Sequence, residues 1–62
     1  MRIEVNFSDD WDLMIISGSR QIFRDDISEI RLSDSEHSYL VSLNNESGLL
    51  AFNIQKCHFY KD

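Results

Sequence analysis

The chain has 62 residues, a net charge of −5, 42% hydrophobic residues, no proline and one cysteine. This length makes one domain, residues 1–62, with a marginal core, because so short a chain buries only about 60% of its unfolded surface. The composition excludes disorder, Cys57 alone excludes an internal disulfide, and no apolar run approaches the roughly 18 residues of a membrane span.

Met1-Arg2-Ile3-Glu4-Val5 alternates like a strand and not like a secretion signal, and a lone thiol suits a reducing compartment. A cytoplasmic setting is therefore expected. The alternation continues to Phe7, with Ile3, Val5 and Phe7 on one face and Glu4 and Asn6 on the other. Ser8-Asp9-Asp10 supplies turn chemistry. Leu13-Met14-Ile15-Ile16 is then apolar without a break.

Gly18-Ser19 suits the two central positions of a type II′ turn. That turn pairs Ser17 with Arg20, Ile16 with Gln21, Ile15 with Ile22, and Met14 with Phe23. One face of the hairpin carries Leu13, Ile15 and Ile22, and the other carries Met14, Ile16 and Phe23. Both faces are apolar, so one set needs a partner. A homodimer through Met14, Ile16 and Phe23 is expected.

Ile27 and Ile30 have helical spacing, Asp25 or Asp26 can cap, and Asp26 with Glu29 has capping-box spacing. One short helical turn is expected there, followed by a strand through Ile30-Arg31-Leu32. Ser33 to Glu36 is a polar turn. His37 to Leu43 alternates, with Tyr39, Val41 and Leu43 inward and Ser38 and Ser42 outward. Asn44 to Gly48 is a loop in which Gly48 suits a positive φ. From Leu49 to Tyr60 the phase slips. Leu50, Phe52 and Ile54 share one face, whereas Cys57 and Phe59 share another, so a bulge or tight turn falls near Gln55-Lys56. The fold class is mostly β: an antiparallel meander of five to six strands, curled into a small barrel, with one short helical turn. A flat sheet with a short helix, dimerising through one face, is the alternative.

No constellation carries catalysis. Cys57 and His58 are adjacent in a strand and point to opposite faces, so they do not form a nucleophile–base pair. No serine lies in a G-x-S-x-G elbow, and the two glycines make no phosphate-cradling loop. Cys57, His58 and His37 are too few for a zinc site, and the spacing around Asp9, Asp10 and Asp12 does not match an EF-hand. Neither metal nor cofactor is expected.

The acids are grouped instead. Asp9, Asp10 and Asp12 form one cluster, and Asp25 and Asp26 with Glu29 form another. The hairpin pairing sets Asp12 opposite Asp25 and so joins them. Such a surface either keeps the protein soluble or receives a basic partner, since close carboxylates pair well with Lys and Arg. Trp11, between Asp10 and Asp12, is either an exposed interface anchor or a ring folded over one end of the barrel.

Phe23-Arg24-Asp25-Asp26-Ile27-Ser28-Glu29-Ile30 and Ala51-Phe52-Asn53-Ile54-Gln55-Lys56-Cys57-His58-Phe59 resemble the small SH3-like or Sm-like barrels. There a strand, a single 3₁₀ turn and a final strand close the barrel. The resemblance covers about half the chain and implies the fold alone.

The functional expectation is a non-enzymatic protein that docks on a larger, basic-surfaced protein and inhibits or modulates it. Asp9, Asp10, Trp11, Asp12, Asp25, Asp26 and Glu29 would form the contact. In size and charge the chain resembles phage or mobile-element inhibitors such as anti-CRISPR proteins. The alternative is a homo-oligomeric small barrel binding RNA, single-stranded DNA or a small nucleotide ligand through His58, Phe59, Tyr60, Lys61 and Lys56. The acidic balance disfavours nucleic acid and anionic membranes as partners.

Overall fold

The computed structural model describes all residues, Met1–Asp62. Seven strands follow one another: β1 (Ile3–Val5), β2 (Leu13–Ile16), β3 (Arg20–Phe23), β4 (Ile27–Leu32), β5 (Ser38–Leu43), β6 (Leu49–Asn53) and β7 (Cys57–Lys61). They make two antiparallel sheets, one of order β1-β7-β2-β3 and one of order β4-β5-β6. The chain leaves the first sheet through a 3₁₀ turn at Arg24–Asp26 and returns through another at Ile54–Lys56. The architecture is thus mostly β, with seven strands in place of five or six and two 3₁₀ turns in place of one. It is two sheets joined at two corners, and no closed barrel is formed. No helix is long and apolar enough to cross a membrane.

The core lies between the sheets. Met14, Ile16, Ile22, Cys57 and Phe59 come from the first sheet, Tyr39, Val41 and Leu43 from the second, and Trp11 from the loop before β2. The inward alternation expected of β5 is the one found. Aromatic rings run through the interior, with Phe7 against Tyr39 at 4.7 Å between centroids, and Phe59 against Tyr39 at 5.1 Å and Trp11 at 4.8 Å. No buried side-chain nitrogen or oxygen lacks a hydrogen-bond partner, as an efficient small core requires. Gly48 takes the positive φ expected of it, 93°.

The β2–β3 hairpin departs from its expected register by one residue. Ile16 pairs with Arg20, Ile15 with Gln21, Met14 with Ile22, and Leu13 with Phe23. The connection therefore has three residues, Ser17-Gly18-Ser19, and both Ser17 (φ 53°) and Gly18 (φ 72°) are left-handed. Ser17 is kept out of the ladder because its N–H donates to the Lys56 carbonyl at 2.8 Å. A one-residue slip moves side chains to the other face. Met14 and Ile16, expected to associate with a second copy, are buried at 0% and 8% exposure. Phe23 parts company with them and joins the outer face, 52% exposed. The dimer surface expected from Met14, Ile16 and Phe23 therefore does not exist as one surface.

The helical spacing of Ile27 and Ile30 has a different origin as well. Ile27 pairs with Leu43 and Glu29 with Ser42, so Ser28 is an extra residue in the ladder. This β-bulge sets Ser28 and Glu29 outward and both isoleucines against the core. The Ser28 hydroxyl donates to the Ser42 carbonyl at 3.0 Å and ties the bulge down. The 3₁₀ turn comes one step earlier, and no side chain caps it. The later phase slip is the second 3₁₀ turn, where the Asn53 side chain accepts the Gln55 N–H at 2.9 Å.

Candidate docking surface

One backbone bond builds the acidic corner. The Arg24 N–H donates to the Asp12 carbonyl at 2.9 Å and continues the β2–β3 ladder past Leu13 and Phe23. The loop bearing Asp9, Asp10 and Asp12 is thereby set beside the turn bearing Asp25 and Asp26. The two segments meet as expected, but Asp12 lies opposite Arg24 and not Asp25, because of the same one-residue slip.

The two halves differ electrically. In the loop, Asp9 closes a local turn: its Oδ2 accepts the Asn6 N–H at 3.1 Å. Lys61 reaches Asp10 at 2.9 Å and Asp12 at 3.7 Å. Its hydrogen bond and charge hold the Asp10 carboxyl below its ordinary 3.8, and the same bond raises the Lys61 ammonium. Asp12 also accepts the Asp62 N–H at 3.1 Å. In the turn, neither Asp25 nor Asp26 forms an ion pair. Their backbone is pinned instead: Asn44 Nδ2 donates to the Asp25 carbonyl at 3.1 Å and Asn44 N–H to the Asp26 carbonyl at 2.9 Å. Two carboxylates without a counterion are thus presented on a fixed segment. Glu29 is paired with Arg31 at 3.7 Å.

Trp11 is withdrawn from the surface. It is 1% exposed, its edge meets Phe59, and the Arg24 guanidinium lies 4.7 Å from its ring centre. Burial rules out the indole as an exposed anchor. A groove of about 330 Å³ lies beside it, lined by Trp11, Arg24, Ile27, Ser28, Glu29 and Ile30. The exposed aromatic next to the acids is Phe23, the residue immediately before the turn. It shares the outer face of the first sheet with Leu13, Ile15 and Tyr60, since Leu13 pairs with both Phe23 and Tyr60. Leu13 is as buried as Trp11, at 1% exposure, yet stands apart from the inner cluster. The sequence shows these residues as apolar, but only the true register collects them.

Of the residues of the nucleic-acid reading, Lys56 is exposed and Tyr60 half-buried. Phe59 is buried, Lys61 is occupied by Asp10 and Asp12, and His58 Nδ1 lies 2.7 Å from Glu4. Cys57 is buried, its Sγ donates to the Asn53 carbonyl at 3.3 Å, and burial pushes its thiol up. Such a thiol is a poor nucleophile at neutral pH. In the folded protein it is expected to alkylate with iodoacetamide at least about tenfold slower than in denaturant, measured by mass spectrometry. Equal rates would mean that this end of β7 opens readily. No group of three or more His, Cys, Asp or Glu side chains is placed to hold a metal ion.

No protein-family model, curated protein or solved structure matches the chain.

Proposed function

We propose that the protein is a non-catalytic docking module that binds a larger, basic-surfaced protein through the Arg24–Asp26 corner and inhibits or modulates it. The observation that carries this reading is the pair Asp25 and Asp26: two backbone-fixed carboxylates with no counterion, directly beside the exposed Phe23. A charged rim next to an apolar patch is the ordinary anatomy of a protein interface. Because the backbone that bears them is already held, only side-chain freedom is lost when these carboxylates pair with Lys or Arg. Asp10 and Asp12 contribute less, because Lys61 already answers them. Size, acidity and the absence of a catalytic constellation support the comparison with mobile-element inhibitors that act in the cytoplasm. An SH3-like arrangement is supported by the path through β2, β3–β4, β5, β6–β7 and back to β2, opened where the sheets separate.

A labelled oligo-arginine peptide serves as a probe of the corner. The native protein should bind it at low salt, with affinity falling as salt rises. Asp25→Asn with Asp26→Asn should weaken binding about tenfold and flatten the salt dependence. Asp10→Asn with Asp12→Asn should have the smaller effect. Equal losses from the two pairs would show a diffuse acidic field and not a site.

A further inference from the structure

A sheet edge is a row of unpaired backbone groups, and proteins guard such edges with charge, proline, bulges or brevity. Three edges here are guarded. β1 has three residues and carries Glu4. β3 has four, begins at Arg20 and runs into a 3₁₀ turn. β4 carries Glu29, Arg31 and the bulge at Ser28. β6 has none of these devices. Its five residues, Leu49-Leu50-Ala51-Phe52-Asn53, hold no charge, and its pairing with β5 is unbroken.

The direction of its backbone groups follows from one bond. Ile54 N–H donates to the His37 carbonyl at 3.0 Å. Antiparallel ladders alternate bonded and non-bonded pairs. Phe52 and Leu50 therefore exchange bonds with Tyr39 and Val41. Leu49 and Ala51 turn their N–H and C=O groups away from β5, into the open, and Asn53 turns its N–H there, while its carbonyl accepts the Cys57 thiol.

We infer that β6 is a self-pairing edge, which a second copy of this chain covers in antiparallel register about Ala51. The sequence is self-complementary around that residue. Ala51 of one copy faces Ala51 of the other, where two small side chains leave the axis clear. Leu49 falls opposite Asn53, so the two Ala51 residues exchange bonds across the axis and each Asn53 N–H donates to the Leu49 carbonyl of the other copy. Leu50 falls opposite Phe52 on the inner face, where both are only half-buried in the single chain. An aliphatic–aromatic cross-strand pair is a favourable one. Charge opposes a second copy only at long range. Each copy carries −5, yet no charge lies on the pairing strand, and nearby Glu46 is neutralised by Arg20 at 2.6 Å. The result is one continuous sheet from β4 of one copy to β4 of the other. The pairing is independent of the acidic corner and leaves Phe23 free.

Light scattering at high micromolar concentration tests it. The native chain should show twice its 7.3 kDa mass, with the dimer fraction rising as salt screens the net charge. Ala51→Lys sets like charges opposite each other and should give the single-chain mass with an unchanged fold by circular dichroism. Ala51→Pro removes an outward N–H while sparing the β5–β6 ladder, and should do the same. Phe23→Ser should leave the dimer intact. A native chain that stays at 7.3 kDa overturns the inference, as does a dimer that survives Ala51→Lys or is lost in Phe23→Ser.

Discussion

Trp11→Ala is expected to unfold the domain. The indole is the largest fully buried side chain and belongs to the single inner cluster. Its edge packs on Phe59, which in turn meets Phe7 at 5.3 Å and Tyr39 at 5.1 Å, so the ring joins the loop before β2 to both sheets. Removing a buried tryptophan costs about 3–5 kcal/mol. A single core in a domain of this size supplies little more than about 3–5 kcal/mol in total. The Arg24 guanidinium would also lose the ring it rests on. Circular dichroism and amide dispersion at 25 °C should report a largely unfolded chain, whereas Trp11→Phe should fold with a lower Tm. A well-folded Trp11→Ala would mean that the remaining core holds the domain without the indole.

Met14→Ala and Phe23→Ala should differ sharply. Met14 has no exposed surface, so its truncation leaves a cavity and costs about 2–5 kcal/mol. Phe23 stands half in solvent, and its truncation should cost less than about 1 kcal/mol. Urea titrations of the two variants separate the alternatives for the hairpin. With a two-residue turn at Gly18-Ser19, Met14 and Phe23 would be cross-strand neighbours on one face and would respond alike. With the three-residue turn, only Met14 is structural. Similar midpoints would reject the register described here.

The contrast shows where local sequence suffices and where it does not. The alternation in β5 is legible because the strand keeps strict two-residue periodicity between its turns, whereas β1 is shorter than the alternating run Arg2–Phe7 and leaves Ile3 half in solvent. The spacing of Ile27 and Ile30 is legible as a break but not as a kind of break. A helical turn and a bulge both return the chain to the same face after three residues. The hairpin register is hidden because its cause is remote. Ser17 adopts a left-handed conformation that serine seldom takes, and its N–H is held by Lys56 from the second corner. The acidic corner is legible to within one residue, since the acids lie in the loop before β2 and the turn after β3. Which acids are free is not legible, because Lys61 reaches Asp10 and Asp12 from the far end of the chain. Trp11 shows the same limit, since flanking aspartates mark a loop but do not say whether the ring folds back over Phe59.

β7 lies in the interior of the four-stranded sheet, with β1 along one side and β2 along the other. It is also the last strand in the sequence. Order of synthesis and order of assembly are therefore opposed. β1 has no partner until β7 is made, and β2 has only β3. Phe59, on which the aromatic interior converges, arrives at the same late moment. Early in translation the ribosome releases hairpins without a sheet to join, and the decisive contacts span most of the chain. Such long-range closure makes folding slow for so small a domain. β7 thus acts as a keystone, and native structure should arise in one cooperative step once it takes its place between β1 and β2.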